Sequence, residues 1–225
     1  MPSNITAYEW PLNGTAHIAY ETGDEHIHEM VIGQEGRWRD HDITRSTNSP
    51  ELESVILAGF SWPDGHTQQI AYSSPMDTNG RIYELVMYQD HSWSVEDTMI
   101  QDIDAAPADG FVLVGYAWKA AGTKHLVYTS RDGHLHELST ATKGPWKYTD
   151  LTLVTGASPA ANSPLAAFAW ETGKQRQIVY VSGDGHIHEL TCGMDGAWKD
   201  TDLMAVVDAP LAGDAALAGF AWEGG

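Results

Sequence analysis

The stretch QIVYVSGDGHIHEL, residues 177–190, decides how this chain is read. Two β-rich runs, QIVY and HIHEL, flank Gly183-Asp184-Gly185. A D-G step between such runs is a strong hairpin signal, because both residues tolerate the backbone angles of a tight turn. The stretch recurs as HIAYETGDEHIHEM at 17–30, QIAYSSPMDTNGRIYEL at 69–85 and HLVYTSRDGHLHEL at 125–138. A small, apolar run ending in tryptophan precedes each copy: ITAYEW to Trp10, LAGFSW to Trp62, LVGYAW to Trp118 and LAAFAW to Trp170. A fifth run, LAGFAW, ends at Trp222, so the spacings are 52, 56, 52 and 52 residues. After each hairpin comes W-x-x-x-D, at Trp38/Asp42, Trp93/Asp97, Trp146/Asp150 and Trp198/Asp202. Three landmarks in fixed order, four times over, define a repeat protein.

Each unit reads as four short strands. The first is the run ending in tryptophan, the next two form the hairpin, and the fourth starts at the G-x-W or G-P-W step and ends near D-L. Loops rich in Pro, Ala, Ser and Gly, such as residues 155–164, lead to the next unit. No segment carries helical periodicity of useful length. Repeated four-stranded units of this size predict an all-β chain, a β-propeller of four-stranded blades: one such sheet cannot cover both of its faces, so neighbours must stack. The expected organisation is a single propeller domain over 1–225, with units at 5–54, 55–110, 111–164 and 165–216 and a spare first strand at 217–225. That strand is expected to latch the ring, to pair with another chain in a homo-oligomer, or to continue a longer array. The second unit departs most. It inserts residues 74–78 at its hairpin and carries Arg81 and Tyr83 where the others have histidine.

Composition narrows the function. Twelve basic residues against 31 acidic ones give a formal charge of -19, which repels nucleic-acid phosphates and an anionic membrane surface. Cys192 is the single cysteine, so no intrachain disulfide and no cysteine-based zinc site is expected. No signal peptide is visible after Met1, leaving secreted and cytoplasmic locations both open, and no apolar run is long enough for membrane insertion. Nucleophile elbows, phosphate loops and zinc-binding helix motifs are missing.

The repeated polar residues carry the chemistry. Strand alternation puts His26 and His28 on one face and Glu29 on the other, and likewise His134 and His136 against Glu137, and His186 and His188 against Glu189. Two histidines at i and i+2 can share a metal, but no further ligand recurs, so neither a metal nor another cofactor is expected. Glu29, Glu84, Glu137 and Glu189 stand in every unit, each nine residues before Trp38, Trp93, Trp146 or Trp198. A carboxylate in an apolar strand needs donors. It serves either as a structural acceptor or as an acceptor for paired sugar hydroxyls, beside a tryptophan that stacks on the sugar ring.

The arrangement V-Y-x-x-x-D-G-x-I-x-E-L…G-x-W resembles the repeat of six-bladed fucose-binding propeller lectins of fungi and bacteria. More loosely it is similar to other bacterial and invertebrate propeller lectins. The resemblance implies a non-catalytic, multivalent carbohydrate-binding protein with glycans as partners and similar sites between blades. It implies Glu29, Trp38, Glu84, Trp93, Glu137, Trp146, Glu189 and Trp198 as ligand-binding residues. That family also uses an arginine two residues before the strand-two tyrosine. Ile18, Ile70, Leu126 and Ile178 stand there, and His28, His136 and His188 are the expected substitute donors. A structural or protein-interaction propeller, and a propeller glycosidase or lyase acting through paired carboxylates, are the alternatives.

Overall fold

A computed structural model describes residues 5–51, 53–74, 76, 79–98, 103–142, 144–212 and 217–221, with the backbone alone at 162–164. The chain divides into two compact units, Met1–Asp109 and Gly110–Gly225. Each holds two four-stranded antiparallel sheets whose strands follow one another in chain order. In the first unit these are β1 (Ile5–Trp10), β2 (Thr15–Glu21), β3 (Ile27–Ile32) and β4 (Trp38–Asp42), then β5 (Ile56–Trp62), β6 (Thr67–Ser73), β7 (Tyr83–Met87) and β8 (Trp93–Asp97). In the second they are β9 (Leu113–Trp118), β10 (Thr123–Thr129), β11 (Leu135–Ala141) and β12 (Lys147–Asp150), then β13 (Ala160–Trp170), β14 (Gln175–Ser182), β15 (Ile187–Gly193) and β16 (Trp198–Asp202).

The hairpins form where the D-G steps place them. Gly133 and Gly185 adopt φ of +83° and +85°, a conformation that costs glycine nothing. Asp132 and Asp184 accept from the hydroxyls of Ser130 and Ser182 and brace the turns. At Gly133 a side chain would also find no room. A Cβ on Gly133 would sit 2.6 Å from the Ala160 carbonyl oxygen, because the Gly133 carbonyl itself accepts from Ala160 N–H at 2.9 Å and ties the next connection down.

Strand alternation sorts each sheet into two faces. Ile70 and Tyr72 of β6 turn toward the sheet before them and join Ala19, Ile27 and Ile43 in the core of the first unit. Ile178 and Tyr180 of β14 do the same with Val127, Leu135 and Leu151 in the second. The buried tyrosines spend their polar ends on the connections: the hydroxyl of Tyr72 donates to Pro50 O at 3.2 Å and that of Tyr180 to Ser158 O at 2.7 Å. Burial raises both phenols far above their ordinary range.

Three one-turn helices were not foreseen: α1 (Ile43–Thr47), α2 (Leu151–Thr155) and α3 (Leu203–Val207). Five residues are too few to display a helical period. Their cause lies in the W-x-x-x-D aspartates, which are N-caps: Asp42 accepts from Arg45 N–H, Asp150 from Leu153 N–H, and Asp202 from Met204 and Ala205 N–H.

Residues 217–221 of the expected spare strand carry no strand pairing, and Trp222 lies outside the described residues. Gly219 nevertheless packs on β13, where an added Cβ would come within 2.8 Å of Phe168 and 2.9 Å of Ala166. In the first unit Gly59 of β5 meets β1 in the same way, with its virtual Cβ 2.5 Å from the Tyr8 ring. Of the insertion at 74–78, Pro75, Asp77 and Thr78 lie outside the described residues.

Candidate functional site

In the first unit the site begins at Glu29. It stands on β3 opposite the small Ala19 of β2, which leaves space for the carboxylate to lie over the sheet. Only 1% of its surface is exposed, so it needs donors nearby. The hydroxyl of Tyr8 on β1 donates to Oε1 at 2.5 Å, and His17 Nδ1 lies 2.9 Å from the same oxygen. The other ring nitrogen of His17 is 2.7 Å from Thr15 Oγ1, and Tyr8 stacks on the imidazole with centroids 4.9 Å apart. Burial, and then the charge of Glu29, raise the Tyr8 phenol far above its ordinary range, so it remains a donor.

A pocket of about 540 Å³ opens over this group. Thr15, His17 and Glu29 reach it from the first sheet, with Arg39 and His41 of β4 on one side. Met87, His91 and Trp93 close it from the second sheet. The structure thus gathers Glu29 and Trp93 from neighbouring sheets. It does not bring Glu29 to Trp38, which is 51% exposed on the edge strand of its own sheet.

The second unit repeats the arrangement. Tyr116 O–H lies 3.3 Å and His125 Nδ1 3.0 Å from Glu137 Oε1, with His125 Nε2 2.7 Å from Thr123 Oγ1. Here, however, Arg176 of β14 enters. Its Nη1 donates to Glu137 Oε1 at 2.8 Å and lies 2.8 Å from His125 Nδ1, and its Nη2 donates to Cys192 Sγ at 3.3 Å. The guanidinium carbon sits 4.7 Å from the Trp198 ring centre and 5.5 Å from that of Trp118. Burial, joined by the charge of Arg176 and outweighing the pull of Glu137, holds His125 below the usual imidazole range. The neutral ring can then accept from Arg176 at Nδ1.

Glu84 is buried on β7 opposite Ala71, in a sheet with Phe60 and Gln69 in place of the Tyr–His pair. Glu189 is half-buried on β15 opposite Val179. Trp146 lies under Lys124, whose Nζ is 5.1 Å from the ring centre.

His28, His136 and His188 do not join the glutamates. Each precedes its glutamate by one residue and so projects from the opposite face. His28 Nδ1 is 3.0 Å from Asp40 and His188 Nδ1 3.0 Å from Asp200, while His136 lies between Ser130 and Tyr148. The positions two before the tyrosine supply no donor either: Ile70, Leu126 and Ile178 are fully buried in the core. The donors beside the glutamate stand one residue earlier, at His17 and His125. Their signal in the sequence is T-x-H, twelve residues before the glutamate.

On the far face His26, His28 and Asp42 bring ligand atoms within 4.8 Å of one another and could hold a metal ion. His26 already pairs with Asp42 at 2.8 Å. In the second sheet Arg81 takes that place, donating to Asp97 at 3.2 Å, so the recurring aspartate keeps a partner there too, while Asp42, Asp150 and Asp202 also cap helices.

No known protein family matches the sequence, and no curated protein does either. Solved structures do match. The fungal fucose-binding lectin of Aleuria aurantia, a six-bladed β-propeller, superposes with a TM-score of 0.66 at 17% identity over 96% of this chain and 66% of its own. The chain is built of propeller blades. The protein AofleA of Arthrobotrys oligospora gives 0.63 at 16% identity over 89% of this chain and 57% of its own. A Burkholderia pseudomallei lectin gives 0.65 at 13%, over 89% and 55%. This chain therefore spans between 55% and 66% of the length of these three proteins. The solved structures it is similar to are of the kind its repeat resembles, and the likeness concerns the blade fold.

Proposed function

We propose that this protein is a non-catalytic lectin that binds glycans between its blades, with the first-unit pocket as an open site. The pocket over Glu29 carries the reading. A buried carboxylate with its own donor, His17, lies at the base, Trp93 offers a flat apolar wall, and about 540 Å³ is available. Paired hydroxyls of a sugar suit a carboxylate and an imidazole, and its C–H face suits an indole. The fucose recognition of the Aleuria aurantia lectin supports a sugar as ligand.

Multivalency follows from the repeat, since linked sites raise avidity without new contacts. The sites are unequal in this reading. Glu29 and Trp93 form an open pocket, Glu137 and Trp198 are bridged by Arg176, and Glu84 and Glu189 belong to sites of different composition. The test is a glycan array with the labelled protein, followed by titration of the best ligand into Glu29→Gln and Trp93→Ala. Each variant is expected to keep its circular dichroism spectrum and lose affinity by about tenfold or more. An array silent at high protein density, or unchanged affinity in both variants, overturns the reading.

A further inference from the structure

The residue at the second position of each blade's second strand varies: Ala16, Gln68, Lys124 and Arg176. In the second unit both are cations placed over the tryptophan of their own fourth strand, Lys124 over Trp146 and Arg176 over Trp198. Arg176 also bonds the buried carboxylate of the preceding blade. The first unit offers the same surroundings without the cation. Glu29, His17, Trp10 and Trp93 correspond to Glu137, His125, Trp118 and Trp198, and Gln68 stands where Arg176 does.

Gln68 is poorly satisfied where it stands. It is 1% exposed, yet its Oε1 has no hydrogen-bond partner among the described residues, an expensive state for a buried acceptor. It also lines, with Trp10 and Tyr88, a cleft of about 320 Å³ that shares Asn13, Met87 and His91 with the larger pocket. Of the acidic groups lining that pocket, Glu35 is bonded to Arg39 at 2.7 Å and Asp42 lies 2.8 Å from His26 and 3.5 Å from Arg45, whereas Glu29 has Tyr8 and His17 beside it and, among the described residues, no arginine or lysine.

We propose that the first-unit pocket selects sugars carrying a positively charged amine, which takes the position that Arg176 fills in the second unit. This deepens the glycan reading and rests on it. The amine would meet the Glu29 carboxylate, the unpartnered Gln68 oxygen and the faces of Trp10 and Trp93. His17, whose Nδ1 lies 2.9 Å from Glu29 Oε1, would then accept at that nitrogen as His125 does. A neutral sugar brings no counter-charge to Glu29.

Calorimetric titration of the whole protein at about pH 6.5 with glucosamine, glucose and methyl fucoside tests this. Glucose differs from glucosamine by a hydroxyl in place of the amine, so the comparison isolates the charge. Glucosamine is expected to bind about tenfold tighter than either neutral sugar, the scale of one desolvated cation–π contact with a charge-assisted hydrogen bond. Gln68→Arg, which gives the first unit the side chain the second already accommodates, is expected to abolish glucosamine binding while the protein stays folded. Equal or tighter binding of a neutral sugar overturns the inference and leaves the lectin reading standing. Tighter binding of arginine methyl ester than of glucosamine also overturns it, in favour of a basic peptide. Failure of every sugar to bind overturns both.

Discussion

Arg176→Met tests the central interaction of the second unit. The substitution keeps the aliphatic body and removes the charge. Glu137 is 2% exposed and the Arg176 side chain 10%, with 2.8 Å between them, so surface screening does little to weaken the pair. Breaking a buried pair by removing one member costs about 3–5 kcal/mol, because the survivor's charge stays buried. Tyr116 still donates to Glu137, and His125, released from Arg176, can turn its Nδ1–H toward it, which places the expected loss near the lower end, about 3 kcal/mol. Urea unfolding followed by tryptophan fluorescence measures it. With a slope of about 2 kcal/mol per molar, the midpoint falls by about 1.5 M. Adding Glu137→Gln should restore most of the loss, giving a coupling of about 2 kcal/mol in the double-mutant cycle. A loss below about 1 kcal/mol for Arg176→Met alone, or no recovery in the double variant, refutes the view that this guanidinium is the counter-ion of Glu137.

The hydrogen bond that His26 donates to Asp42, reinforced by the charges of Asp42, Asp24 and Glu51 against the opposing effect of burial, raises His26. The stability it contributes is therefore full below the ordinary imidazole range and is lost as pH rises through the raised value. NMR titration should find the His26 midpoint above about 6.5, and Asp42→Asn should bring it down. Asp42 itself is lowered, burial being outweighed by the Arg45 N–H and His26, so its share is lost only as pH falls below the usual carboxylate range. Gly59→Ala would press a methyl to 2.5 Å from the Tyr8 ring, and thermal unfolding should register a loss of about 1–3 kcal/mol; an unchanged melting temperature would show that the sheets can part without cost. Asp202→Ala removes the cap of α3, bonded to Met204 and Ala205 N–H at 3.0 Å, and should cost about 1 kcal/mol in the same measurement.

The blades were legible in the sequence because a hairpin writes its own signal locally: β-rich runs around D-G, with the glycine at positive φ. The site was legible only in part. Glu29 and Trp93 recur in register and were singled out. Their pairing across two sheets depends on stacking, which spacing along one unit does not encode, and by spacing Glu29 had been joined to Trp38. His17 and His125 went unnoticed because one polar residue in a half-buried strand reads as solvent-facing. Here it is buried only because a tyrosine on the preceding strand covers it. His28 drew attention through the dense H-I-H-E run, yet adjacency on a strand means opposite faces. The occupation of the second site by Arg176 is a contact between repeats, and it was hidden in a position where the four units share no residue type.

At Gly59 and Gly219 the approach to the neighbouring strand is made by bare backbone and not by a side chain. Each presents bare backbone to an aromatic ring, Tyr8 in one case and Phe168 in the other. A joint of that kind has no key. It does not check which unit it receives, only that the arriving edge is thin. Individual units can consequently drift in their polar residues, acquiring an arginine here or an insertion there, while the assembly rule stays the same. The individuality of each site and the sameness of the scaffold come from separate parts of the repeat, and each can change without the other's consent.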